Sequence, residues 1–320
     1  ISCVLCKNFA SLRLNSIFEK KKILVTHNGT FHADDLFATA VLSILHDGNI
    51  EIIRTRDEEL IKTADYVYDV GGIYDKARNR FDHHQKEGSG ARPNGIPYAS
   101  FGLVWEAYGE KICGYKEVAD IIDRDLVSSI DAMDNGVNVI HPIYEGVIPY
   151  GVQELFLNYI PKWNEEGKNI DTIFEEQVEG VVKFLKREIE VIKSDIEGRN
   201  MILDAYKNTK DKRIVEADMN FPRYLFQSTL ASLPEPVYLV YPSSTDDTWR
   251  IEAIRKSSTD INSRKLFPEA WRGFMDGADM TILEKETGIS DIIFTHRNGF
   301  YIAVKSKESA LALAQKSLIA

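Results

Sequence analysis

Ile23-Leu24-Val25-Thr26-His27-Asn28-Gly29-Thr30-Phe31-His32-Ala33-Asp34-Asp35 decides how the chain is read. A short apolar run ends in an imidazole, and a second imidazole with two carboxylates opens the next segment. From Asp34 to Leu45 apolar residues return at helical spacing (Leu36, Phe37, Ala40, Val41, Ile44), so the unit is strand, loop, helix. Ile50 to Arg54 reads as a second strand and Glu58 to Thr63 as a short helix. Tyr66 to Val70 reads as a third strand, broken by Gly71-Gly72. Short strands alternating with helices imply βαβ units and a mostly parallel sheet. Ligands of such sheets gather beyond the carboxyl ends of the strands, which is where His27 and Asp69 fall.

Further along, Gly88 to Pro97 is a loop rich in Gly, Pro, Ser and Asn that carries Arg92. Helices are expected from Ser100 to Tyr108 and from Glu117 to Ile130, the second ending near Asp131-Ala132-Met133-Asp134-Asn135-Gly136. Thr172 to about Glu197 is strongly helical, with Phe174, Val178, Val181, Leu185, Ile189, Ile192 and Ile196 at three- and four-residue intervals. Such a helix either links two domains or pairs with a second subunit in a homodimer, and the linker role is favoured. Ile214 to Ala217, Val237 to Tyr241 and Arg250 to Ile254 read as strands of a smaller C-terminal α/β domain. The expected division is an N-terminal extension (1–22), a catalytic domain including the connecting helix (23–200) and a second domain (201–320).

Composition narrows the class. Hydrophobic residues at 44% and charged residues at 28% suit a soluble globular chain. No apolar run approaches the roughly 20 residues that span a bilayer, so no membrane role is expected. The net charge of −10 argues against a basic coat but leaves a phosphate-bearing substrate open, because local charge governs a site. Three cysteines leave one over even if two join, which favours a reducing, intracellular setting without separating cytoplasm, mitochondrion and nucleus. Cys3 and Cys6 form a CxxC with no second pair after it, and the Asn28-Gly29-Thr30 sequon is set aside on the cysteine usage. The first 22 residues, poor in acids, read equally as the tail of a transit peptide or as a disordered or trimmed terminus.

The chemistry sits in clusters. His27, His32, Asp34, Asp69, Asp82, His83, His84, Asp131 and Asp134 all lie near strand or helix ends. Imidazoles and hard carboxylates together suit divalent cations, and their number fits two ions better than one. Paired divalent ions are the standard device for phosphoester hydrolysis. The oxygen-rich shell suits Mn2+ or Mg2+, and the imidazoles favour Mn2+ or Zn2+. Asp34 serves either as a ligand or as the cap of the helix after it. Asp134 reads more simply as a turn former before Asn135-Gly136, so Asp131 is preferred as a ligand. His46 and His141 read as ordinary surface or core residues.

The order His27-x4-His32-x-Asp34, Asp69, Asp82-His83-His84 and Asp131 resembles the DHH phosphoesterase superfamily. More closely, THNGTFHADD, DVGGIYD, RFDHHQ and IDAMDNGVN are similar to its MYG-type (melanocyte-proliferating-gene) branch, as are LFPEAWRG and the string Thr295 to Phe300. The resemblance covers about residues 23 to 318. It implies a parallel-sheet DHH-type domain holding two Mn2+-type ions, with His27, His32, Asp34, Asp69 (bridging), His83 and Asp131 as ligands. His84, with Asp82 and Asp35, would serve catalysis, His84 facing the substrate phosphate. The superfamily begins with a His and two Asp, whereas the middle position here is His32. The branch implies a 3′–5′ exonuclease acting on RNA in organelles and nuclei.

Basic and aromatic residues are interleaved from Trp249 to Phe274 (Arg250, Arg255, Lys256, Arg264, Lys265, Phe267, Trp271, Arg272). That composition suits a single-stranded backbone with stacked bases, or else is a core with a solvated cationic face. Arg92, Arg255, Arg264, Arg272, His296 and Gly299 are the expected substrate contacts, and Arg54, Arg56 and Arg78 fall near the metal end. The leading expectation is an exonuclease on RNA or short oligonucleotides. The alternatives are a phosphatase of pyrophosphate, cyclic dinucleotides or nucleotides, and a metal-stabilised interaction protein without activity.

Overall fold

A computed structural model describes residues 20–275 and 279–320. Cys3, Cys6 and most of the N-terminal extension lie outside the described residues. The chain divides into two compact units, 1–192 and 193–320.

The first unit is built on strand β1 (Lys22–Thr26), flanked in parallel by β2 (Ile50–Arg54) and β3 (Tyr66–Tyr68). β4 (Tyr74–Asp75) and β5 (Arg80–Phe81) complete a sheet of order β2-β1-β3-β5-β4, with β5 parallel to β3 and only β4 antiparallel. Leu24, Val25 and Thr26 are fully buried, as an inner parallel strand covered on both faces requires. Helix α1 (Ala33–Leu45) follows β1 and is buried almost all round from Ala33 to Leu42. α2 (Glu58–Thr63) joins β2 to β3. α3 (Ser100–Cys113) packs along α1. α4 (Lys116–Ile122) runs through a π-helical turn, Asp123–Val127, into α5 (Ser128–Asp134). α6 (Val152–Leu157) lies against α1 through Phe156 and Phe37.

α7 (Ile170–Asn208) is longer than its sequence pattern predicts. Its Phe174, Val178, Val181, Leu185 and Ile189 are buried in the first unit, and Ile202 in the second. Gly198 lies inside this helix at a close contact: a Cβ there would lie 2.7 Å from Leu225.

In the second unit β6 (Ile214–Glu216) pairs in parallel with β7 (Tyr238–Pro242). β8 (Trp249–Ala253), β10 (Tyr301–Val304) and β9 (Ile292–Thr295) add antiparallel edges in the order β6-β7-β8-β10-β9. Side chains alternate across this sheet. Tyr238 and Val240 face α10 (Lys307–Ile319) and α9 (Met280–Thr287), whereas Leu239 and Tyr241 face α8 (Arg223–Ala231) and the end of α7. Phe267 and Trp271 lie inside the first of these cores, with Trp249 and Phe274 packed against it. The aromatics expected to stack on bases between Trp249 and Phe274 are therefore structural. Among the described residues no helix is long and apolar enough to cross a membrane.

Candidate metal centre

The carboxyl ends of β1, β3 and β5 deliver His27, Asp69 and Asp82-His83-His84 to one edge of the first sheet. Asp69 leaves its strand in the left-handed region at φ +56, a conformation that short polar side chains tolerate. Its two oxygens then face different partners. Oδ2 lies 3.1 Å from His27 Nε2, while Oδ1 lies 3.8 Å from His83 Nδ1 and 3.6 Å from His84 Nδ1.

Helix α1 contributes the rest of the first motif. His32, not Asp34, is its N-cap residue, and Asp35 at the third helical position accepts the His32 backbone N–H at 2.8 Å. Asp34 is thus released from capping and points inward. Its Oδ1 accepts the Phe101 N–H at the start of α3 (2.7 Å), whereas its buried Oδ2 has no donor. Asp35 is fully buried, with Oδ2 3.3 Å from His27 Nε2. The expectation that Asp35 takes part in catalysis is corrected, because it can reach substrate only by way of His27.

Three overlapping groups have ligand atoms close enough to share an ion: His27, His32 and Asp69; Asp34, His83 and Asp134; and Asp69, Asp82, His83 and His84. Asp134 Oδ2 lies 3.1 Å from His83 Nε2, and its Oδ1 3.9 Å from His32 Nδ1. Asp131, the expected last ligand, is elsewhere. Its Oδ2 accepts from Arg92 Nη1 at 2.6 Å and its Oδ1 from the Gly102 N–H at 3.0 Å. The two carboxylates are one helical turn apart on α5, and spacing alone does not reveal that an arginine has already claimed one of them. Asp134 is the residue that sequence reading underrated.

Asp82 is a positioning group. Its Oδ1 accepts from His84 Nδ1 (2.7 Å) and from the His84 backbone N–H (3.1 Å), and its Oδ2 from Gly72 N–H. It is buried, whereas the His84 side chain is 61% exposed. His83 Nδ1 lies 3.2 Å from Ser100 Oγ, a contact that the sequence did not signal.

The electrostatics show what the cluster lacks. Burial, reinforced by Asp134, Asp69 and Asp131, pushes the Asp34 carboxyl well above the ordinary range. Burial raises Asp69 too, against the pull of His27. Burial opposes charge on His27, yet hydrogen bonds to Asp35 and Asp69 outweigh it and push the imidazole up to about 10. His83 is raised in the same way, burial being overcome by Asp134 and Asp69. An orphaned buried oxygen on Asp34 and protons held to offset crowded carboxylates are the signature of a site built for cations. The donor set fits divalent metal.

Most of the expected substrate arginines are already occupied. Arg92 is buried between Asp123 (2.7 Å) and Asp131 and cannot meet substrate. Arg54, its side chain 2% exposed, pairs with Asp171 and the Gly29 carbonyl, and Arg78 pairs with Asp75. In the second unit Arg264 donates to the carbonyls of Pro236, Ala231 and Leu233, fixing the loop after α8. Arg272 donates to Phe267 O and packs on Gly299, where a Cβ would lie 2.4 Å from its Nε. Gly299 closes a turn on His296, and Arg255 is half-buried with an unpartnered Nε. Arg56 alone of the arginines near the metal end lines the open cavity beside Asp69, Asp82 and His84, together with Lys62.

The MYG1 exonuclease family model (Uncharacterised protein family, UPF0160) matches residues 23–318. MYG1 exonuclease of Homo sapiens is 31% identical, covering 92% of this chain and 85% of the human one. MYG1 proteins of Schizosaccharomyces pombe and Chlamydia muridarum are 27% and 30% identical, each covering 92% of this chain and 97% of its relative. A solved structure of RecJ in complex with Mn2+ from Thermus thermophilus aligns with a TM-score of 0.25 at 11% identity over 98% of this chain and 55% of its own, too distant to bear on fold or chemistry. Family and site together define a metal-dependent hydrolase on an α/β fold. The chain belongs to the MYG1 exonuclease family.

Proposed function

We propose that this chain is a two-ion phosphoesterase that removes nucleotides from the 3′ end of RNA or short oligonucleotides. One observation carries the reading: two sets of ligand atoms, His27 with His32 and Asp69, and Asp34 with His83 and Asp134, each lie close enough to share an ion, and the second Asp69 oxygen faces His83. His27, His32 and Asp69 would hold one ion, and Asp34, His83 and Asp134 the other. Two Mn2+ ions suit this mixed nitrogen and oxygen shell, with Mg2+ or Zn2+ as the other candidates. Such ions, when bound, lower the pKa of water and neutralise charge on phosphoryl oxygens.

The chain's own groups bind and orient. Asp82 holds His84 through Nδ1, leaving Nε2 of an exposed imidazole free for a substrate phosphate. Arg56, held on Asn28, and Lys62, paired with Glu59, bring positive charge to the adjoining cavity of about 550 Å3, beside Glu58 and an apolar wall of Ile61, Val70 and Ile73. That volume accommodates a nucleotide. The name exonuclease carried by the mammalian relatives supports a nucleic-acid substrate.

The test is RNA labelled at the 5′ end, given to metal-stripped protein before and after Mn2+ is restored. Stepwise shortening with release of mononucleotides is expected after add-back, and none from Asp69→Ala. Cleavage of pyrophosphate or a cyclic dinucleotide with the RNA left intact would replace this reading with a small-molecule phosphatase. Retention of metal with no hydrolysis of any of these would leave a structural site.

A further inference from the structure

The second unit holds a cavity of about 510 Å3 that none of the expected substrate contacts except His296 touches. Four neighbouring strands build its floor. Glu252 of β8 sits directly opposite Tyr301 of β10, with Tyr241 of β7 and Phe294 of β9 on the same face. Phe221 and Phe226 close one side, from the start of α8. Over this floor lies Arg223. Its guanidinium Cζ is 5.0 Å from the Phe300 ring centroid, and its Nε donates to Glu252. Glu252 is 2% exposed and also accepts from Gln227 Nε2 (3.1 Å) and Tyr241 O–H (3.2 Å). The carboxylate is thereby fully engaged in holding the arginine flat, while the Arg223 side chain stays 48% exposed. His296 packs against Phe300 at 4.3 Å between ring centroids.

An immobilised guanidinium plane beside half-exposed Phe294, Phe300 and Tyr301 is a surface for stacking a flat, electron-rich ring. The buried acid cancels the arginine's charge in part, so bare phosphate gains less here than a planar base does. The geometry points to a nucleobase-stacking subsite in the second unit, taking the base of a nucleotide in the substrate chain. This rests on the nucleic-acid reading of the metal centre but is a separate binding event. The same chemistry would also hold the base of a free mononucleotide, so the test needs arms for both.

The full-length protein, stripped of metal, is titrated with AMP, CMP and ribose 5-phosphate, the last having the phosphate but no base. AMP and CMP are expected to bind about tenfold more tightly than ribose 5-phosphate, the scale of one stacked base, and Arg223→Leu and Phe300→Leu are each expected to erase that preference. With Mn2+ restored, an oligoribonucleotide is compared with one whose 3′-terminal residue is abasic. Wild type is expected to show about a tenfold lower KM for the intact oligonucleotide at similar kcat, and the variants no difference. Arg223→Lys, which keeps charge and the Glu252 partner but loses the plane, is expected to behave like Arg223→Leu and covers the case in which Phe300→Leu misfolds. Preference for AMP with equal KM for intact and abasic oligonucleotides would move the subsite from substrate to free nucleotide and overturn the proposal. Equal binding of AMP and ribose 5-phosphate would remove the subsite altogether. Base-dependent binding in a protein that cleaves no oligonucleotide would leave the stacking surface standing and defeat the exonuclease reading instead.

Discussion

Gly102 faces Asp131 so closely that a Cβ on the glycine would lie 1.8 Å from the carboxylate Oδ2. The glycine lets the first turn of α3 reach two acids at once, Phe101 N–H bonding Asp34 and Gly102 N–H bonding Asp131. Gly102→Ala must separate them. It is expected to destabilise the protein by at least ~1–3 kcal/mol, the usual cost of overpacking, and to weaken ion binding through Asp34. Urea unfolding and Mn2+ titration of the variant measure both, and wild-type values in the two would refute the arrangement.

Asp131→Asn and Asp134→Asn should fail in different ways. Removing charge at 131 leaves Arg92 with Asp123 as its sole carboxylate partner and is expected to cost on the order of 3 kcal/mol of stability. Removing it at 134 takes a ligand from His83's group and is expected to lower ion affinity by at least about tenfold with little change in unfolding. Calorimetric Mn2+ binding beside denaturation separates them. The reverse pattern would restore Asp131 as the ligand.

The metal-free protein should lose stability as pH rises. His27 is held at about 10 against an ordinary 6.5. Its contribution is therefore complete below about pH 6.5 and disappears progressively towards pH 10. Raised carboxyls act in the same direction: Asp34 and Asp69 retain protons that the unfolded chain releases. Each retained proton steepens the decline by about 1.4 kcal/mol per pH unit. Saturating Mn2+ should reverse the trend, because imidazoles bind metal only when neutral and so release protons. Unfolding midpoints with EDTA that rise through this range would contradict the network.

Asp82→Asn tests the mooring of His84. His84 loses its carboxylate partner while the ligand atoms of His27, His32, Asp34 and Asp134 are untouched. A fall in kcat of ~10–100-fold is expected, as for other carboxylate–histidine pairs, with metal content near wild type. Unchanged turnover would leave His84 outside the reaction.

The first sheet was readable because its inner strands are buried on both faces and so appear as unbroken apolar runs. Tyr66 to Val70 was read too long by the residues from Asp69 on, since a left-handed turn leaves no mark in hydropathy. α7 runs past the expected end near Glu197 because Gly198 does not stop the helix but admits Leu225. Histidine and aspartate positions were legible from their clustering at strand ends. Arginine roles were not: Arg54 meets Asp171 across 117 residues and Arg92 meets Asp131 across 39. Whether a guanidinium is spent or free depends on partners that local pattern does not contain. The same limit hid Arg223 and Phe300, which approach only once the second sheet has formed.

Strand β5 is two residues long, so the imidazoles after it owe little to sheet pairing. His84 is moored by Asp82, itself tied to Gly72, and His83 by Ser100 and Asp134. The two imidazoles therefore depend on side chains from separate elements rather than on the strand that precedes them. An ion that binds these groups only once they are assembled would stabilise the folded form by mass action.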